Sequence, residues 1–346
     1  EVLNAMVESG VITADQAQAA ASRIAFPPSP TAPGWFAAWV ADQSQALLAP
    51  DVDAVLRTTL DNRQQAVAEI RLSALLDGPG AAADVGQGAV VIIDAASGAV
   101  RAMVGGRNFR ESPFNRAVLA RRQPGSVFKP FVWLAALEHG MTPDDTVLDA
   151  PLRIGSWSPV NFDHRYLGSV TLEEALAQSI NTASVRLLIQ AGGARTVAAT
   201  AARLGIADKL PNDASLALGT GEVGLLELTA AYAPFFNGGN RVIPHGLDRT
   251  PHQPVPVIEP RQAASMARML ASVVSRGTGR AAAVPGRGVA GKTGTTQDSR
   301  DAWFIGSVRG MLIGIWLGND DNQPMKGILG GGLPARLFHD IAMGID

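Results

Sequence analysis

Five polar side chains in three short motifs have the types and the spacing of a nucleophilic site. Ser126 and Lys129 belong to an SVFK motif, Ser179 and Asn181 to an SIN motif, and Lys292 opens a KTGT motif. The chain has four lysines among its 29 lysines and arginines. Because a guanidinium does not give up its proton in a protein, lysine is needed wherever an amine must titrate. The motif lysines therefore indicate proton transfer beside a serine.

Ser126 follows Pro-Gly and opens an apolar segment, so we expect its hydroxyl at a helix N-terminus. Lys129 comes one turn later on the same face. A serine hydroxyl becomes a good nucleophile when a base removes its proton, and a neutral amine can do this if its pKa is lowered. The helix N-terminus, burial and a second cation lower a lysine pKa, and Lys292 can be that cation. Ser126 is the candidate nucleophile and Lys129 the candidate base.

Ser179 and Asn181 are expected at a helix start or in a loop, where both face the same site. A second hydroxyl beside a lysine can relay a proton to a leaving amine, which is the role we assign to Ser179. The Asn181 amide can orient a substrate amide by hydrogen bonding. Both residues are therefore candidate catalytic residues.

The KTGT motif reads as a strand that binds substrate. Gly294 lets a substrate approach the backbone closely, and the hydroxyls of Thr293 and Thr295 with the Lys292 ammonium suit a carboxylate. The backbone amides of Ser126 and Thr295 are the candidate oxyanion hole.

The periodicity of the chain predicts an α/β (α+β) fold. Strand-like runs at residues 89–94 and 99–104 form a hairpin, and further runs occur at 288–295, 302–308 and 311–317. Helical periodicity lies between them, at 126–139, 171–191, 195–204 and 259–275. We therefore expect one antiparallel sheet built from N- and C-terminal strands, flanked by helices, with a mainly helical lobe inserted.

Three regions are predicted along the chain. Residues 1–34 form a helical linker segment, broken at Ser9-Gly10, with a capping box from Thr13 to Gln16 and a proline-rich connector at 26–34. Residues 35–85 are an extended lead-in that ends in a helix around 62–76. The main domain is expected at 86–346.

Composition excludes several classes of function. Of the 346 residues 47% are hydrophobic and 17% charged, which is typical of a globular protein with a sizeable core. A net charge of -2 offers no face for nucleic acid. The absence of cysteine excludes thiol catalysis and disulfides. No apolar run reaches the roughly 18 residues of a membrane span, and the acidic start is not a signal peptide, so we expect any anchor outside this chain.

Two glycine-rich matches are judged coincidental, and we expect no cofactor and no metal. Residues 286–293 (GRGVAGKT) match the phosphate-binding GxxxxGK[ST] loop, but the residues that follow cannot start a stable helix. Residues 219–224 (GTGEVG) match GxGxxG without a clear βαβ unit. The histidines lack metal-ligand spacing and are interpreted as surface or core residues; they are His139, His164, His245, His252 and His339.

The three motifs in this order are the signature of penicillin-binding proteins and class A β-lactamases, with SIN in place of SDN. The chain resembles the transpeptidase part of a class A (bifunctional) penicillin-binding protein over nearly its whole length. The resemblance is carried by VGG at 104–106, FNRA at 114–117, RQPGSVFKPF at 122–131, WSPVNF at 157–162, SINT at 179–182, LGTGE at 218–222, GKTGTT at 291–296 and RDAWF at 300–304.

The resemblance implies that Ser126 attacks the D-Ala-D-Ala carbonyl of a peptidoglycan stem peptide, releases D-Ala and passes the acyl group to an amine on another strand. It implies acylation of the same serine by β-lactam antibiotics, and a D,D-carboxypeptidase activity. It also implies a full-length bacterial protein with a membrane anchor and a glycosyltransferase domain, acting at the periplasmic face of the cell membrane. The glycosyltransferase is absent from this chain, which we therefore interpret as a fragment.

Two alternatives share these motifs. A serine β-lactamase has a further base that activates water for deacylation, and Glu222 is the acidic residue near a recognisable loop between SIN and KTG. A β-lactam sensor or a non-catalytic relative is the other alternative. The linker segment and the RDAWF match at 300–304 favour the transpeptidase.

Overall fold

The computed structural model describes residues 6–7, 9–14, 16, 34–45, 55–248 and 254–345. By its internal contacts the chain divides into two compact units, Glu1–Gly34 and Trp35–Asp346. The three predicted regions, with boundaries at residues 34 and 85, remain predictions.

The first unit contains the predicted break and capping box. The chain turns at Ser9 and Gly10, where Gly10 has φ +73°. Thr13 N donates to Gln16 Oε1 at 2.9 Å, and Gln16 N donates to Thr13 Oγ1 at 3.2 Å. Residues 26–33 of the proline-rich connector lie outside the described residues.

The second unit is built on an antiparallel sheet. The strands are β1 (Gln87–Asp94), β2 (Val100–Val104), β3 (Thr146–Asp149), β4 (Gly168–Thr171), β5 (Asn240–Arg241), β6 (Val255–Pro256), β7 (Val289–Thr295), β8 (Asp301–Val308) and β9 (Met311–Gly318). The main sheet has the order β2-β1-β9-β8-β7, while β3 pairs with β4 and β5 with β6. Strands from the two ends of the chain meet where β1 pairs with β9, which confirms the predicted fold class.

Helices cover both faces of this sheet. They are α1 (Trp35–Gln45), α2 (Asn62–Asp77), α3 (Pro79–Ala82), α4 (Lys129–Glu138), α5 (Leu172–Ala177), α6 (Asn181–Gln190), α7 (Ala194–Leu204), α8 (Leu225–Ala230), α9 (Pro260–Ser275) and α10 (Leu333–Gly344). Helices α2 and α10 pack on one face, and α8 and α9 on the other. Because successive strand residues point to opposite faces, a strand covered on both sides is apolar throughout, as the buried run in β1 illustrates.

The helical lobe surrounds α4, whose residues from Lys129 to Leu137 are all buried. Helices α6, α7 and α9 pack around it. A short 3₁₀ turn, Gly125–Phe128, leads directly into α4 and carries Ser126. The lobe therefore holds one end of the candidate site in a buried, closely packed environment. Within the described residues, no helix is long and apolar enough to cross a membrane.

One secondary-structure prediction was wrong. The residues ahead of 62 were expected to be extended, but Trp35–Gln45 form helix α1. Trp35, Phe36, Trp39 and Val40 are buried there, and their spacing of one, three and one residues is that of one helical face. Burial of three large aromatic rings stabilises a helix that the flanking prolines had obscured.

Candidate active site

A single hydroxyl, Ser179 Oγ, lies between two lysine amines. Lys292 Nζ donates to it at 2.9 Å, and Lys129 Nζ lies 3.3 Å from it. Lys129 Nζ also donates to the Ser179 carbonyl oxygen at 2.5 Å and to Asn181 Oδ1 at 2.7 Å. The structure thus brings together four of the five residues predicted as catalytic from three distant motifs.

Both amines are buried, and burial changes their proton affinity. Lys129 and Lys292 each have 0% exposure. Burial lowers the pKa of Lys129 well below its usual value, and the nearby charge of Lys292 lowers it further. Burial also lowers the pKa of Lys292, to about 7. Within the described residues neither amine pairs with a carboxylate, so a neutral amine is available close to neutral pH.

The backbone at Ser179 is unusual for a residue with a side chain. Its φ is +58°, in the left-handed region, and it interrupts the helical periodicity of 171–191 between α5 and α6. This conformation presents both the carbonyl and the hydroxyl of Ser179 to Lys129. Strained backbone of this kind is stored at functional sites because the surrounding structure enforces it.

A buried polar network, absent from the sequence-based predictions, fixes Asn181. Asn161 Oδ1 accepts from the backbone N–H groups of Asn181 at 3.0 Å and of Thr182 at 3.3 Å. Asn161 Nδ2 donates to Asp149 Oδ1 at 2.7 Å, and Asn181 Nδ2 donates to Val160 O at 2.8 Å. The Asn181 amide is therefore held with its oxygen toward Lys129.

The need for this network becomes visible once the start of α6 is known. Helix α6 begins after Ile180, which has no side-chain oxygen to cap the first N–H groups. A distant residue must supply that oxygen, and Asn161 within the WSPVNF segment does so. Asp149, which is 1% exposed, in turn accepts from Asn161, Thr182 Oγ1 and Leu167 N.

Ser126 lies at the surface of the same site. Its side chain is half-buried, and within the described residues its hydroxyl makes no hydrogen bond. The hydrogen bonds of Lys129 go instead to Ser179 and Asn181. The Ser126 hydroxyl therefore has no hydrogen-bond partner among the described residues, whereas the Lys129 amine one turn away is already positioned by its own hydrogen bonds. Catalytic hydrogen bonds are often incomplete before substrate binds.

The Ser126 turn and strand β7 are in backbone contact at two glycines. A Cβ at Gly294 would lie 2.4 Å from Pro124 O, and one at Gly125, whose φ is +54°, would lie 2.7 Å from Thr295 O. Only glycine permits this approach. It sets the backbone of Ser126 beside that of Thr295.

The backbone N–H of Thr295 points away from the neighbouring strand β8. Thr296 N donates to Asp301 O at 3.1 Å, and Thr295 stands opposite Ala302. Alternate residues of an antiparallel strand bond to the neighbouring strand, so the Thr295 N–H faces away from β8. Because β7 is the last strand of the sheet, that N–H lies at its edge, beside the Ser126 turn. This orientation suits an oxyanion hole with the Ser126 amide.

Both threonine hydroxyls of the KTGT motif form a hydrogen bond within the protein. Thr293 Oγ1 lies 2.7 Å from Thr278 Oγ1, and Thr295 Oγ1 accepts from Gly330 N at 2.9 Å. The Thr295 hydroxyl proton remains available to a substrate carboxylate. No three His, Cys, Asp or Glu side chains among the described residues are grouped as metal ligands would be.

The matches to the two nucleotide-binding patterns have other structural roles. Residues 286–293 run into β7 and are not followed by a helix N-terminus, which a phosphate loop requires. In the second match, Gly219 has φ +73° and its carbonyl accepts from Gly125 N at 3.2 Å. This glycine-rich segment therefore supports the Ser126 turn.

A comparison with protein families agrees with this geometry. The model of the penicillin-binding protein transpeptidase domain matches residues 88–310. The chain therefore belongs to the penicillin-binding protein transpeptidase family, as the resemblance of its motifs predicted.

Comparison with individual relatives shows which members of this family the chain resembles. Penicillin-binding protein 1A of Neisseria meningitidis serogroup A is 43% identical over 271 residues, which are 71% of this chain and 34% of that protein. Penicillin-binding protein 1A of Aquifex aeolicus is 42% identical over 252 residues, 68% of this chain and 34% of that protein. The chain thus spans about a third of the length of these relatives.

Solved structures share the fold. PonA1 of Mycobacterium tuberculosis in complex with penicillin V aligns with a TM-score of 0.78 and 27% identity, covering 88% of this chain and 90% of that one. Penicillin-binding protein 1A of Haemophilus influenzae aligns with a TM-score of 0.81, covering 100% and 75%. At 21% identity the second supports the fold alone.

Proposed function

We propose that this chain is a serine-type D,D-transpeptidase that crosslinks peptidoglycan stem peptides through an acyl-enzyme on Ser126. The observation that carries the proposal is the position of Ser179 Oγ between two buried amines, of which Lys129 has a strongly lowered pKa. This arrangement can move a proton between a serine hydroxyl and a leaving amine without a histidine or a metal.

In the acylation step, neutral Lys129 takes the hydroxyl proton as Ser126 Oγ attacks the carbonyl of the D-Ala-D-Ala bond. The oxyanion that forms accepts hydrogen bonds from the amides of Ser126 and Thr295. Collapse breaks the C–N bond, and the leaving nitrogen takes a proton from Ser179 Oγ, which regains one from Lys129. D-Ala departs and an ester remains on Ser126.

In the transfer step, a neutral amine of another strand attacks the ester carbonyl, a C–N bond forms and the C–O bond to Ser126 breaks. A proton of the amine passes through Ser179 and Lys129 and ends on Ser126 Oγ. Attack by water in place of the amine gives the D,D-carboxypeptidase reaction.

Substrate binding is assigned to the remaining motif residues. Lys292, with Thr293, Gly294 and Thr295, binds the terminal carboxylate at the edge of β7. A carboxylate beside Lys292 favours its charged form, which offsets the lowering of its pKa by burial. Asn181 orients the substrate amide while its own oxygen holds Lys129.

The hydrogen bonds of the site favour the transpeptidase over a serine β-lactamase. A lactamase needs a base that holds the deacylating water beside the acyl-enzyme. Glu222 is exposed, and among the described residues no carboxylate bonds to Ser126, Lys129 or Ser179. The intact lysine and serine network argues against a non-catalytic relative.

The names of the relatives support the wider context. By likeness to penicillin-binding protein 1A, of which the chain spans about a third, we assign the chain to a longer protein. Its glycosyltransferase domain, membrane anchor and periplasmic location are proposed from the resemblance of its motifs to class A penicillin-binding proteins. Its β-lactam sensitivity is proposed from the likeness to a structure with penicillin V.

Penicillin G tests the proposal. We expect one covalent adduct per chain, located on Ser126 by peptide mapping, that persists for minutes or longer. Ser126→Ala should form no adduct. A label on another residue would refute the assignment of the nucleophile, and rapid turnover of the antibiotic would favour a β-lactamase.

A further inference from the structure

A polar pocket of about 740 Å³ lies beside the Ser126 turn. Its walls include Gln123, three residues before Ser126, and Thr296, which follows Thr295. Glu222 and Arg300 also line it. The pocket therefore shares its walls with the two segments that carry the nucleophile and the candidate oxyanion hole.

Glu222 is fixed against the Ser126 segment by backbone pairing. Arg122 N donates to Val223 O at 3.1 Å, and Val223 N donates to Arg122 O at 3.0 Å. The two segments run antiparallel, so Glu222 stands opposite Gln123. The position of this carboxylate relative to the nucleophile is thus determined by the fold.

Most charged groups of the pocket have a partner. The ion pairs are Arg116–Asp320, Arg121–Asp208 at 2.8 Å, Arg122–Asp301 at 3.9 Å and Arg300–Asp298 at 3.6 Å. Within the described residues, Glu222 is the pocket carboxylate without a cation. Burial raises the pKa of Asp301, and the charge of Glu222 acts in the same direction. The lining comprises four arginines and four carboxylates, and because Arg121 pairs with Asp208 outside the lining, Glu222 is left without an ion pair among the described residues.

A negative group in a polar pocket beside an acyl-enzyme fits the second substrate of a transpeptidase, which is an amine. We propose that this pocket binds the amine-bearing side chain of the acceptor stem peptide, and that Glu222 holds its primary ammonium group. The inference rests on the proposed function and adds the acceptor subsite to it.

The chemistry of the transfer step is unchanged by this assignment. The bound ammonium releases one proton to the solvent that fills the open pocket. The resulting amine nitrogen attacks the ester on Ser126, and its second proton returns to Ser126 Oγ. Glu222 raises the local concentration of the acceptor and orients it, and takes no part in acylation.

The test measures how the acyl-enzyme divides between amine and water. A thioester analogue of the D-Ala-D-Ala donor acylates the chain, Nα-acetyl-L-lysine amide serves as acceptor, and mass spectrometry gives the ratio of aminolysis to hydrolysis. At acceptor concentrations below saturation, Glu222→Gln should lower this ratio about tenfold, equal to about 1.4 kcal/mol. Glu222→Asp should retain most of it. Asp340→Asn, an exposed acid on α10, is the control for charge removal and should leave the ratio unchanged.

Salt supplies a second readout. Added salt should lower the aminolysis ratio of the parent, because an exposed ion pair is screened, and should have little effect on Glu222→Gln. Equal ratios and equal salt dependence in parent and Glu222→Gln would overturn the acceptor subsite and leave the proposed function intact. A Glu222→Gln protein that also loses acylation by penicillin would overturn it too, since Glu222 would then act through the fold. Failure of the parent to acylate with either reagent would overturn the proposed function itself.

Discussion

Lys129 and Lys292 share one hydroxyl: their Nζ atoms lie 3.3 Å and 2.9 Å from Ser179 Oγ. Two buried cations in such proximity repel each other, so at least one is neutral when the site is ready to react. The pKa of Lys129 is lowered more strongly than that of Lys292, because burial and the charge of Lys292 both lower it. The relationship supports the proposed roles, with Lys129 as the base and Lys292 as the cation.

The roles of the two lysines can be separated by matched arginine substitutions. Lys129→Arg keeps the charge but removes the neutral form, so acylation by penicillin should fall by roughly 10²- to 10⁴-fold. Lys292→Arg preserves a cation for the carboxylate and should lose less, mainly in substrate affinity. Stopped-flow acylation rates measure both, with melting temperatures as the control for folding. If Lys129→Arg reacts almost as fast as the parent while Lys292→Arg is inactive, the assignment of roles is reversed.

Acylation should show a bell-shaped dependence on pH. The rate rises with pH as Lys129 becomes neutral, at a pKa well below the usual lysine value. It falls again as Lys292 loses the charge that binds the carboxylate, at a pKa of about 7 in the free protein. Because the two amines interact, the measured values belong to the pair. Second-order rate constants for a β-lactam give the profile, and Lys292→Arg should shift the alkaline limb to higher pH. A parent profile that is flat from about pH 5 to 9 would contradict this mechanism.

Gly294 should be essential for the geometry of the site. In Gly294→Ala the new Cβ would meet Pro124 O at 2.4 Å and force β7 away from the Ser126 turn. We expect acylation to slow by about 10²- to 10³-fold, as for loss of an oxyanion-hole donor. Gly288→Ala is the matched control, because nothing lies within 4 Å of its Cβ position. Similar rates for both variants would show that the close contact is not required.

Asn161 is expected to act as a positioning residue. Asn161→Ala removes the cap of α6 and one donor to the buried Asp149 carboxylate, so the free energy of unfolding should fall by about 1–3 kcal/mol. Acylation should slow as well, because Asn181 loses its fixed orientation. Denaturant unfolding and acylation rates measure the two effects. Asn108→Ala, at an exposed position, should change stability by no more than about 0.5 kcal/mol; equal effects of both substitutions would remove the positioning role.

The elements of the fold were largely predictable because their signals are local. The apolar runs of β1, β8 and β9 each predict a strand. The order of the three motifs predicted that Ser126, Ser179 and Lys292 share a site. The Asp149–Asn161 network was not predicted, because it joins residues that only the folded chain brings together. A helix start or loop was expected at Ser179, but its left-handed backbone was not, because residues other than glycine rarely adopt a positive φ. Glu222 could not be placed without the pairing of its segment with Arg122.

The pairing of β1 with β9 has a consequence for the order of events during synthesis. Gln87 stands opposite Gly318, so the sheet closes only after β9 has been made. Lys292 reaches Ser179 through a strand that this closure holds in place. A chain that ends before β9 would contain Ser126 and Lys129 but lack the strand pairing that places Lys292 beside Ser179.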